Sequence, residues 1–207
     1  MRREALPWLQ IATHVGGLAP LAVLAWLFWQ DRLGPVPVAA AIRRLGRYAL
    51  VFLILSLAPT AVRLVTGSSE LLRVRRWLGL YAFLYAVLHA LAFAGLDYGF
   101  DLRLLATVVL ESRREIVGLA ALSILGLLAL TSIPALIRSL GKHWKRVHRL
   151  VYVAAGLVVL HYAWNYKELR RWPVAAGTAL LLLLAIRLPP VARLLRQRHN
   201  AEGAGPT

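Results

Sequence analysis

Residues 142–167, KHWKRVHRLVYVAAGLVVLHYAWNYK, join a basic, aromatic start to an uncharged apolar run with a histidine near each end, His148 and His161. The apolar run is long enough to cross a bilayer, and inside hydrocarbon every backbone N–H and C=O must be satisfied within the segment. The stretch therefore reads as a membrane helix. Imidazole is poorly solvated by hydrocarbon, so two of them in such a helix call for a function or for buried partners.

The rest of the chain extends this reading. Of its 207 residues 59% are hydrophobic, and the mean hydropathy is +0.64, above that of soluble domains. The apolar residues gather into six blocks, near 8–30, 48–66, 77–96, 116–137, 147–166 and 172–190. They lack the dyad alternation of a membrane barrel, which predicts an all-α integral membrane protein of six transmembrane helices in one domain, 1–207. Gly, Pro and charged residues fill the connections, the stretch 197–207 reads as a disordered tail, and no long internal repeat is apparent. The charged N-terminus and its apolar run read as a retained first span rather than a cleaved signal.

The formal net charge is +16, but the Lys and Arg sit between apolar blocks. That distribution fits topology and anionic headgroups, not nucleic acid. The absence of cysteine excludes disulfides, thiolate metal sites and iron–sulfur clusters. With the N-terminus inside, Lys plus Arg number 15 on the inner side and 10 on the outer. Both termini are therefore expected in the cytoplasm.

In that orientation the fifth span runs outward, so His148 lies near the inner face and His161 near the outer. Thirteen residues separate them, roughly 20 Å at 1.5 Å per residue. The third span also runs outward, and its histidine, His89, should share the depth of His161. Two imidazoles at one depth on neighbouring spans can hold a haem from both faces, leaving no open position and favouring electron transfer. The alternative for each is a neutral imidazole bonded to a backbone carbonyl.

At the inner level the third span offers Arg75 and Arg76 where a second histidine pair would need a ligand. With His148, itself a further candidate axial ligand, they suit a haem propionate, a flavin phosphate or a quinone carbonyl; alternatively the arginines are positive-inside anchors. His14 could join this site or serve packing. His143 and His199 read as solvated, and Trp77, Trp144, Trp164 and Trp172 fall at interfaces. Two other classes stay open. A proton or metal transporter would call for carboxylates within spans three to five, which hold none. A cofactor-free membrane anchor would be colourless.

The run TSIPALIRSLGKHWKRVHRLVYVAAGLVVLHYAWNYK (131–167), with RRWLGLYAFLYAVLHALAF (75–93) before it, resembles the MsrQ (YedZ) family, within the ferric-reductase-like transmembrane group. The resemblance spans essentially the whole chain. It implies a subunit that passes electrons from membrane quinol, through haem b and flavin mononucleotide (FMN), to the periplasmic molybdopterin enzyme MsrP, which repairs methionine sulfoxide. It maps the family's histidines onto His89, His148 and His161 and its arginine pair onto Arg75 and Arg76. Larger relatives carry two histidines on each of two helices, from which this chain departs at the arginines. It also shows no flavin and nicotinamide domain after the sixth span, so electrons are expected from quinol or a separate reductase. A direct ferric or flavin reductase is the nearest alternative.

Overall fold

A computed structural model describes residues 7–165 and 171–203 of the chain. Charges at 1–6 and 167–170, the side chains of Trp172 and His199, and residues 204–207 lie outside the described residues. Among those described, ten α-helices and short 3-10 or π turns carry the fold, and no strand occurs. The helices are α1 (Pro7–Trp29), α2 (Pro37–Thr66), α3 (Arg75–Ala92), α4 (Leu102–Glu111), α5 (Arg113–Leu130), α6 (Pro134–Leu140), α7 (Trp144–Val147), α8 (Leu150–Asn165), α9 (Arg171–Ala185) and α10 (Pro189–Gly203). The last of these reaches into the stretch expected as a disordered tail.

Among the described residues, three helices are long and apolar enough to cross a bilayer: Trp8–Trp29, Pro37–Thr66 and Arg75–Asp97. Two more apolar stretches are broken. Arg113–Leu130 meets Pro134–Val147 at 90°, and Pro173–Ala185 meets Pro189–Leu195 at 69°. Counting each bent pair as one span gives up to five, and Leu150–Trp164 is a shorter apolar helix. The helix expected near 116–137 is thus broken after Leu130. Pro134 supplies no N–H and holds Ile133 at ψ 134°, outside the helical region. Thr131 and Ser132 hydroxyls donate back to Leu127 O and Leu128 O at 2.7 and 2.8 Å, which closes the helix end. Uniform hydropathy across 116–137 hides this corner.

The core lies where α2 packs along α3 and α5 along α8. Leu53, Leu57, Ala82, Tyr85, Ala154 and Ala155 are almost fully buried there. Large side chains on the perimeter face outward: Leu181 is 68% exposed and Trp8 60%. An apolar exterior around a packed, aromatic-rich centre is the arrangement a bilayer stabilises, because lipid rather than water meets the outer face. α1 joins the bundle through α3: Gly17 has no Cβ, which lets the Tyr81 ring lie against it, and the Tyr85 hydroxyl donates to Gly17 O at 2.7 Å.

Between α3 and α4 the chain turns through a π segment, Phe93–Asp97, and two left-handed residues, Gly99 (φ 57°) and Phe100 (φ 58°). Asp101 then caps α4, accepting from the N–H groups of Arg103 and Leu104 at 3.0 Å. α4 packs against α5 and turns Leu105 and Val109 toward the residues of α2, α3 and α8.

Candidate functional site

His89 on α3 and His161 on α8 line one cavity of about 300 Å³. Its walls are mainly Ala, Leu and Val, with Leu105 and Val109 of α4 forming part of the lining. The ring centroids are 6.2 Å apart, with the planes at 78°. Each ring is fixed by one nitrogen. His89 Nδ1 donates to Ile42 O at 2.9 Å, and His161 Nδ1 donates to Arg114 O at 2.9 Å. Those bonds select the tautomer that leaves Nε2 unprotonated on both rings, the form in which imidazole binds a metal. A metal between the rings needs about 2 Å to each nitrogen and about 1 Å more to each ring centre, or about 6 Å in all. The observed centroid spacing matches that length.

Glycine makes room for each imidazole. A Cβ at Gly46 would stand 3.1 Å from His89 Nδ1, and one at Gly118 would stand 2.8 Å from His161 Nδ1. These contacts repeat along the chain: Ile42, Gly46 and His89 recur 72 residues later as Arg114, Gly118 and His161. The same offset relates the buried pairs Leu53 and Leu125, and Ala82 and Ala154. The α2–α3 and α5–α8 pairs thus repeat the same contacts at a fixed offset. Backbone contacts and small residues carry it, so the two sequences look little alike.

A second cavity, of about 520 Å³, opens on the other side of Leu53 and Leu125, which line both spaces. It is far more polar. Arg63, Arg75, Arg76 and His148 line it together with the hydroxyl residues Ser56, Thr60 and Ser132. Arg75 Nη1 donates to Thr60 Oγ1 at 3.2 Å. His148 is held differently from the other two histidines. The Thr131 hydroxyl donates to Leu127 O, so its oxygen accepts from His148 Nε2 at 3.3 Å. Trp144 stacks on the His148 ring at 4.0 Å and donates Nε1–H to Thr131 O at 2.9 Å. In the repeat, His148 stands at the position of Arg76, 72 residues on. This cavity can receive an anionic or carbonyl-bearing group through guanidinium and hydroxyl donors.

The structure therefore gathers His89 and His161 in one cavity, and Arg75, Arg76 and His148 in the other. His14 lines neither. Its Nδ1 meets the Tyr81 hydroxyl at 2.9 Å, and its ring stands edge-on to Trp77 at 4.7 Å, so it fastens α1 to α3. Sequence reasoning did not single out Gly46, Gly118 or Thr131. A glycine 43 positions before each cavity histidine (46 to 89, 118 to 161) was the available signal.

Residues 45–159 match the family model described as ferric reductase like transmembrane component. Curated relatives match over most of their length. A Rhodospirillum rubrum protein, the protein-methionine-sulfoxide reductase heme-binding subunit MsrQ, is 43% identical over 188 residues, covering 90% of each chain. Proteins of the same name are 42% identical in Xanthomonas oryzae, over 84% of this chain and 83% of the relative. In Xanthomonas campestris the identity is 40%, over 92% and 91%.

Proposed function

This chain belongs to the MsrQ family of protein-methionine-sulfoxide reductase subunits, a ferric-reductase-like membrane protein, and we propose that it is the electron-transfer subunit that carries reducing equivalents from membrane quinol to MsrP. The observation that carries the reading is the His89–His161 pair, 6.2 Å apart with both Nδ1 atoms bonded to backbone carbonyls. His89 and His161 would hold haem b, which would supply one-electron chemistry there. The chain's own contribution is to fix both rings, to wall them with apolar side chains, and to keep water from the metal site.

In the proposed topology six spans cross the inner membrane with both termini in the cytoplasm. Three of them are unbroken helices, and α5, α8 and α9 supply the rest. The His89–His161 cavity then lies at the outer level, under α4, on the side where MsrP would dock. The arginine-rich cavity lies at the inner level. There Arg75, Arg76 and His148 receive a quinone carbonyl, the phosphate of FMN or a haem propionate, all of which accept hydrogen bonds from guanidinium. The chain moves electrons and leaves the methionine chemistry to its partner.

A reduced-minus-oxidised spectrum of the detergent-purified protein, expressed with ample haem, tests the reading. Haem b bands that disappear in His89→Ala and His161→Ala support it. A colourless wild-type protein sinks it. The ferric-reductase-like family model also favours a direct ferric or flavin reductase. Turnover with soluble ferric or flavin acceptors at full rate without MsrP would select that alternative.

A further inference from the structure

The repeat makes the two imidazoles equivalent in position but not in support. His89 donates to Ile42 O, which lies inside α2, a helix of 30 residues beginning at Pro37. His161 donates to Arg114 O, which lies in the first turn of α5, beginning at Arg113. First turns fray unless their free N–H groups are satisfied. Here the turn is held by a capping pattern, Ser-Arg-Arg-Glu over 112–115. The Glu115 N–H donates to Ser112 Oγ at 3.4 Å. The Glu115 carboxylate, with its side chain only 13% exposed, pairs with the Arg114 guanidinium, and Arg114 Nε donates to it at 2.7 Å. Acidic Glu115 also suits the positive end of the helix. Nothing comparable is needed at Ile42.

We propose that Ser112 is a positioning residue for His161: by capping the first turn of α5 it holds the Arg114 carbonyl that orients this imidazole toward its metal. The proposal rests on the reading of His89 and His161 as axial ligands. Its content is that one of the two ligands depends on a helix cap and the other does not. Loss of the cap should loosen His161 alone, leaving iron held firmly on the His89 side.

The test is ferric EPR and absorption of the haem-loaded protein. In Ser112→Ala, opening of the turn should become about fivefold more frequent, the usual worth of a helix N-cap. The readout is a loss of low-spin signal and a matching gain of high-spin signal at unchanged haem content. Ser112→Asp, which keeps a capping oxygen, should restore the low-spin form. Ser123→Ala makes the same chemical change on the same helix, where the hydroxyl only bonds Leu119 O; it should leave the spectrum as in wild type. If Ser112→Ala does not accumulate, Ser112→Gly removes the oxygen at a smaller backbone cost and should show the same shift in weaker form. An unchanged spin state in the Ala or Gly variant overturns the proposal, as does an equal loss in Ser123→Ala or no recovery in Ser112→Asp. A wild-type protein without low-spin haem would instead bring down the ligand assignment beneath it.

Discussion

The two cavities on either side of Leu53 and Leu125 both contain histidine, yet they use it in opposite ways. In the first, each ring gives Nδ1 to a backbone carbonyl and keeps Nε2 for whatever lies between the rings. In the second, His148 gives Nε2 to Thr131 and is stacked on Trp144. Around the paired rings the lining is mainly hydrocarbon, with Arg43 and Glu115 also reaching it; around His148 three arginines and three hydroxyl side chains join the apolar wall. The difference teaches that the atom tied down, not the residue type, decides what a membrane imidazole can do. A facing pair of rings with Nε2 unprotonated suits a metal. A donor among cations suits an anionic or carbonyl-bearing guest.

The most direct way to break this comparison is to delete one ring at a time. His89→Ala or His161→Ala should abolish the low-spin haem signal, whereas His148→Ala should retain it and instead impair reduction by quinol. Equal spectral loss in all three variants would erase the distinction between the cavities. The glycines sharpen it further. Gly118→Ala brings a Cβ within 2.8 Å of the His161 ring, while Gly46→Ala leaves 3.1 Å at His89. The first should displace its ring and lose much of the bound haem; the second should cost less, as haem content per protein would reveal.

Leu53 is 1% exposed and separates the two spaces. Leu53→Ala should destabilise the protein by about 2–5 kcal/mol, read as an earlier thermal transition in detergent, and should merge the cavities. The smallest effect concerns the support of the α8–α9 edge. Arg187 donates to the Tyr152 hydroxyl at 2.8 Å and also to Leu57 O. Tyr152→Phe removes only the first bond, and should lower stability by about 1 kcal/mol with the haem spectrum intact.

Much of this was legible in the residues. A rise of 1.5 Å per residue predicts His89 and His161 at one depth, and their ring centroids lie 6.2 Å apart. The grouping of Arg75, Arg76 and His148 followed from the same counting, and they line one space. The bend after α5 was not read, because hydropathy continues smoothly past Pro134 even though the backbone cannot. His14 was uncertain because its partners, Trp77 and Tyr81, are set by how α1 leans on α3. Nor could spacing reveal which nitrogen of each ring is engaged. That depends on Ile42, Arg114 and Thr131, each far away in sequence and brought near only by packing.

The 72-residue offset has a consequence for how such a protein can be divided. Each helix pair brings one imidazole, one glycine and one carbonyl, a complete half-socket that is useless without its counterpart. In a fragment ending before α5, His89 would have nothing to close against. Any metal seated between the rings therefore doubles as a clasp joining two like halves, and its loss would loosen their seam before either half came apart.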